Sequence, residues 1–110
     1  MYVEPADLIM EMCKWLDFVG IDHFNPAGKN FGSFDRQFLF MHDDDEIFHQ
    51  RVRHRALDPA PFYLVSNDVK MPSLEQCLER ADMQATDLHT AVGDAWDVCR
   101  LLRKALVNVL

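Results

Sequence analysis

No stretch of the chain approaches the roughly 18 uninterrupted apolar residues of a membrane span, so a membrane protein is not expected. The opening residues, Met-Tyr-Val-Glu-Pro, lack the basic and apolar regions of a secretory signal. Cysteine is sparse: Cys13, Cys77 and Cys99 are odd in number, far apart and not in metal-type pairs. They read as buried thiols of a reducing compartment, with the cytoplasm as the default. Positive charge is short as well. Eleven Lys and Arg face 18 Asp and Glu, for a formal net charge of −7. That balance excludes a protein that coats nucleic acid through a broad basic surface. It leaves room for an enzyme that holds one strand end through metal ions, because the ions supply positive charge locally. Repeats, low-complexity tracts and linkers are absent. What is present is 110 residues, 49% of them apolar, enough for a single domain over 1–110 with a packed core.

Periodicity and end signals lay out the elements. Over residues 5–19, Leu8, Ile9, Met12, Trp15, Leu16 and Val19 share one helical face. Pro5 suits the first turn of that helix and Gly20 its exit. Residues 21–30 favour a loop or a short strand end. A second helix is expected from Phe31 to Met41, burying Phe34, Phe38 and Leu39, followed by an acidic break at His42–Glu46. The end of 47–57 reads as a short strand. Asp58-Pro59 opens a short helix, the carboxylate capping free N–H groups. Ser73-Leu74-Glu75-Gln76 has the capping-box form and starts a helix to Ala81. The last helix is expected from Thr90 to Val109. Helices separated by brief strand signals indicate α/β architecture.

Two segments carry chemistry. In His89-Thr90-Ala91-Val92-Gly93-Asp94-Ala95 a histidine and a carboxylate stand five residues apart where a polar loop becomes an apolar helix. An imidazole there can take a proton from water, and a carboxylate one turn further in can hold a divalent cation beside that water. In Gly28-Lys29-Asn30-Phe31-Gly32-Ser33-Phe34-Asp35-Arg36-Gln37-Phe38-Leu39, asparagine ends an expected strand and Asp35 follows in the first turn of a helix. A carboxylate at the carboxyl end of a strand faces the crevice where α/β ligands bind.

The order Asn-x-x-x-Phe-Asp-x-x-Phe-Leu, His-Arg-x-Leu-Asp, Ser-Leu-x-x-x-Leu and His-x-Ala-x-x-Asp-Ala resembles the DEDDh 3′–5′ exonucleases, the DnaQ-like branch of the ribonuclease H-like superfamily. The resemblance covers residues 6–109. It implies that Asp35 and Asp94 are metal-site carboxylates and that His89 is the general base. It also implies that Asn30 shapes the turn before Asp35. Asn30 and Phe31 are the candidates for touching substrate, and His54–Asp58 supports the fold. The implied reaction releases nucleotides from a 3′ end of single-stranded DNA or RNA with two Mg²⁺ or Mn²⁺ ions. Such ions, ~4 Å apart, can stabilise both the attacking and the leaving oxygen, and hard oxygen ligands suit them. The implied fold is a partial ribonuclease H-like one, with about two strands and four or five helices.

The family pattern opens with Asp-x-Glu on an apolar strand, and that element is missing here. The chain therefore resembles the C-terminal portion of an exonuclease domain. Metal affinity and activity of the chain alone are expected to be weak. The apolar face of the first helix is expected to be uncovered, inviting a complementing chain or a second copy. The competing class is a non-catalytic remnant or interaction module that pairs with another chain.

Several residues have blander readings. His42–Glu46 reads as a solvated loop rather than a metal cluster. The basic cluster of His49, Arg51, Arg53, His54 and Arg55 suits either phosphate or a solvated strand edge. Phe31 and Phe34 fit core packing better than base stacking. Trp15 and Trp96 read as core, and Asp97 as exposed.

Overall fold

The computed structural model describes residues 3–4, 7–29, 31, 35–86 and 90–107. The chain divides into two compact units. The first comprises Met1–Pro26 and Asn30–Ala56, the second Ala27–Lys29 and Leu57–Leu110.

In the first unit the principal element is α1, Leu8–Val19. Ile9 and Leu16 are buried against Phe48 and Val52, with Met12, Cys13, Phe24, Leu39 and Phe40 partly buried around them. Gly20 ends the helix at φ +78°, a left-handed conformation that glycine adopts without a Cβ penalty. Its N–H donates to Asp17 O, and the Ile21 N–H donates to Leu16 O at 2.9 Å, closing the carbonyls of the last turn. The short helix α2 spans Arg36–Phe40. Phe31 and Asp35, ahead of it, are also helical, wound as π-helix, and Phe38, expected in the core, is exposed. Phe34 lies outside the described residues.

A 3₁₀ turn follows at His49–Arg51. Its start is held by Asp43, which is buried and accepts the N–H groups of Phe48 at 3.2 Å and His49 at 2.6 Å. The acidic run read as a solvated loop thus contains one structural carboxylate. Arg51, from the basic cluster, is committed to this unit's own backbone and to Asp17. It donates to Asp22 O at 3.0 Å and Cys13 O at 3.3 Å, and pairs with Asp17 at 2.9 Å.

In the second unit Asp58 Oδ1 accepts the Ala60 N–H at 2.8 Å, opening the 3₁₀ helix Ala60–Tyr63. Helix α3 is Leu74–Arg80, with both bonds of the capping box formed: Gln76 N–H to Ser73 Oγ at 3.1 Å and Ser73 N–H to Gln76 Oε1 at 2.9 Å. Helix α4 is Ala91–Val107. Ala60, Cys77, Leu78, Ala81 and Leu101 form the core. The Tyr63 hydroxyl donates to Leu101 O at 2.7 Å, and burial pushes that phenol's pKa up, with the nearby Cys77 adding to the effect. Arg80 forks onto Asp68 at 2.7 and 2.9 Å.

The structure corrects the α/β expectation of a partial ribonuclease H-like fold. The described residues form helices, and their only β pairing is two isolated parallel bridges, Phe24–Val52 in the first unit and Ala27–Leu57 in the second. The reason is local. Pro26 has no N–H to give a ladder, and the stretch expected to lead into a strand is bent into the 3₁₀ turn by the Asp43 cap. Each pairing stops after one bridge, so the described residues form no sheet for helices to cover. In the second unit α3 packs on α4 and on the 3₁₀ helix instead. No described helix is long and apolar enough to cross a membrane.

Candidate functional site

Asp35 stands immediately before α2 in the first unit. It occupies the capping position but makes no side-chain capping bond. Phe31, in the same unit, packs against the core cluster, and the Arg36 guanidinium lies over its ring at 5.5 Å from the centroid. Arg36 also donates to the carbonyls of Arg53 and His54 at 2.8 and 2.9 Å. The ring of Phe31 is therefore already stacked within the protein.

Asp94 belongs to the second unit and lies in the first turn of α4. It is exposed, and no described residue bonds its carboxylate. The N-terminal turn of α4 does not depend on it, because the Thr90 hydroxyl accepts the Gly93 N–H at 3.0 Å. Asp94 lines a cleft of about 330 Å³ together with Lys29, Ser73, Glu75, Ala85 and Asp97. His89 and Asn30 lie outside the described residues.

One turn beyond Asp94, Asp97 reverses its expected role. It is 1% exposed and accepts from Thr86 N at 3.0 Å, Thr86 Oγ1 at 2.7 Å and Arg100 Nη1 at 3.0 Å. Arg100 also reaches Gln84 O at 2.8 Å. Burial pushes the Asp97 carboxyl up, but the Thr86 hydroxyl and N–H and the Arg100 guanidinium outweigh it and hold the group below the usual carboxylate range. Helical spacing places Asp97 on the Gly93, Asp97, Leu101 row of α4, and both of those neighbours are buried. That spacing was the available signal.

The donor chemistry of Asp35 and Asp94 suits a hard cation. Among the described residues, however, no three His, Cys, Asp or Glu side chains converge on one point. The described donors do not by themselves make a two-ion centre. Comparison with family models, curated proteins and solved structures returned no match to the chain.

An apolar concavity lies in the first unit. It measures about 860 Å³ and is lined by Val3, Leu8, Trp15, Phe18, Ile21 and Phe24 among others. Trp15 is 59% exposed and Phe18 88% exposed. The apolar stripe of α1 is wider than its cover. Ile9 and Leu16 are packed, while the edge through Trp15 and Val19 faces solvent. The expectation of a core Trp15 fails here, as it does for Trp96, which is 52% exposed. Of the three cysteines, all free, only Cys77 is buried, and Cys99 is exposed.

Proposed function

We propose that this chain contributes to hydrolysis of phosphodiester bonds at the 3′ ends of single-stranded DNA or RNA, as a DEDDh-type 3′–5′ exonuclease component. In this reading Asp35 and Asp94 are carboxylate ligands for Mg²⁺ or Mn²⁺, His89 is the base that deprotonates water, and Asn30 and Phe31 border the substrate. The observation that carries the reading is the idleness of Asp94. It sits one turn from a fully engaged acid and at a helix start capped by another residue, yet no described residue bonds its own carboxylate. The ordered motifs around Asp35 and His89 add to it. Two carboxylates are too few for a pair of ions, and this reading takes the further acids from another polypeptide segment. We place the activity in the cytoplasm, where free cysteines stay reduced.

The first test is paramagnetic broadening. Mn²⁺ titrated into the ¹⁵N-labelled chain should broaden amides around Asp94, and Asp94→Asn should abolish the effect. The second is Mn²⁺-dependent release of a 3′-terminal label from an oligonucleotide. Release that survives both Asp94→Asn and Asp35→Asn overturns the assignment.

A second reading is favoured by the apolar groove beside α1. Here the chain acts as an interaction module, and the groove docks the segment that brings the further acids. Exposure of Trp15 and Phe18 on one surface is the kind of contiguous apolar area that marks an interface. Phe18→Glu should then abolish activity of the natural assembly while Mn²⁺ broadening at Asp94 persists. Full activity in Phe18→Glu overturns the docking. Concentration-dependent self-association by sedimentation, lost in Phe18→Glu, would instead assign the groove to a second copy.

A further inference from the structure

Lys29 is partly buried, and no described residue forms a hydrogen bond or ion pair with its ammonium. Its charge is felt inside the second unit all the same. Burial pushes the Cys77 thiol up, and Lys29 is the leading influence pulling it back. An ammonium with no described partner is free to make charge-assisted hydrogen bonds to an anion. Lys29 is also shared by two clefts of this unit. One is the 330 Å³ cleft that Asp94 lines. The other, about 550 Å³, is lined by Lys70, Met71 and Gln76 as well. Ser73 and Glu75 line both, so the two adjoin. The Ser73 hydroxyl accepts the Gln76 N–H, which leaves its own hydrogen free to donate. Lys70 is exposed and likewise has no described partner.

We propose that Lys29 and Lys70 form a two-phosphate track that receives the sugar–phosphate backbone of a single strand leading toward Asp94. The proposal rests on the nuclease reading for its direction. Volumes of this size suit nucleotide-sized groups. Glu75 on the shared rim and Asp94 and Asp97 in the smaller cleft oppose anions and keep the attraction local to the two ammonium groups, in keeping with a chain whose net charge is −7. Binding should therefore be weak, strongly salt-dependent and confined to one edge of the second unit.

The test is fluorescence anisotropy of a fluorescein-labelled ten-nucleotide oligothymidylate with the full chain, titrated at several salt concentrations in EDTA. Each phosphate neutralised on a single strand contributes about −0.7 to the slope of log K against log salt. Lys29→Ala with Lys70→Ala should reduce the slope's magnitude by about 1.4, and Lys70→Ala alone by about 0.7. Arg103→Ala, an exposed change on α4, should leave it unaltered. A slope unchanged in the double variant, or reduced equally by Arg103→Ala, overturns the track. Should Lys29→Ala fail to fold, Lys29→Gln replaces it, and the exposed Lys70 supplies an independent readout. The metal-free assay separates the two hypotheses. Lysine-dependent binding without any Mn²⁺ broadening around Asp94 that Asp94→Asn abolishes refutes the nuclease reading alone. Asp94-sensitive cleavage with an unchanged slope refutes the track alone.

Discussion

Replacing Asp97 with alanine should cost the second unit about 3 kcal/mol. The carboxylate is buried and takes bonds from Thr86 N, Thr86 Oγ1 and Arg100 Nη1 at 3.0, 2.7 and 3.0 Å. A hydrogen bond to a charged group contributes roughly 1.5–3 kcal/mol. Removing one member of a buried, charge-paired network costs about 3–5. Thr86 is exposed, so its donors can turn to water once Asp97 is gone. Arg100 keeps its bonds to Gln84 O and Thr86 Oγ1. Both effects place the cost near the lower bound. With a urea m-value of about 1–3 kcal/mol/M, the unfolding midpoint followed by circular dichroism should fall by about 1–3 M. Asp97→Asn keeps one acceptor oxygen and should lose about half as much. A double-mutant cycle with Thr86→Val should show coupling of at least about 1 kcal/mol. The pH dependence has a definite sign. The folded pKa of Asp97 is depressed, so its contribution is complete above the unfolded value of about 3.9. It disappears as pH falls through the lower folded value. An Asp97→Ala midpoint within the equivalent of about 0.5 kcal/mol of the parent at pH 7, or strict additivity with Thr86→Val, would refute this reasoning.

Three further outcomes are expected. Asp43→Ala should cost about 1–2 kcal/mol through the lost cap and should speed hydrogen exchange selectively at the Phe48 and His49 amides; unchanged exchange there contradicts the assigned bonds. Leu101→Ala empties a fully buried core position and should cost about 2–5 kcal/mol in thermal unfolding, so a loss below about 1 would place Leu101 outside the core. Arg80, and then the Val65 N–H, hold the Asp68 carboxyl below the usual carboxylate range. A carboxyl-carbon NMR titration should therefore show Asp68 ionising below pH 3.9, its stabilising effect present above that value and lost as pH falls through the folded pKa; a midpoint at or above 4 contradicts the pairing.

The elements that could be read from sequence are those set by near neighbours. The exit of α1 at Gly20, the Asp58 turn and the Ser73–Gln76 box each involve groups within a few residues, so residue type and spacing suffice. The start of α4 belongs with them, since Thr90 and Gly93 are three residues apart. The acids Asp43, Asp68 and Asp97 could not be separated from surface carboxylates by type. Their roles depend on donors five, twelve and eleven residues away. Brief strand signals within 21–30 and at the end of 47–57 suggested a sheet, but among the described residues each unit holds one isolated bridge, with Pro26 and the 3₁₀ turn at His49–Arg51 beside the first. Trp15 was assigned to the core because helical periodicity finds an apolar face without showing how much of it a neighbour covers. Of the motif residues, Asp35 and Asp94 stand at helix starts as spacing suggested, each in its own unit.

Ala27–Lys29 belongs to the second unit although its flanking residues belong to the first, and the Gly28 N–H bonds to Leu57 O at 2.9 Å. Neither unit is a continuous length of polypeptide, so no single cleavage separates them into independent fragments. During synthesis, residues 27–29 leave the ribosome about thirty positions ahead of their partner, and the second unit cannot close until Leu57 has followed. A protease nick between residues 26 and 30 would therefore disturb both halves at once.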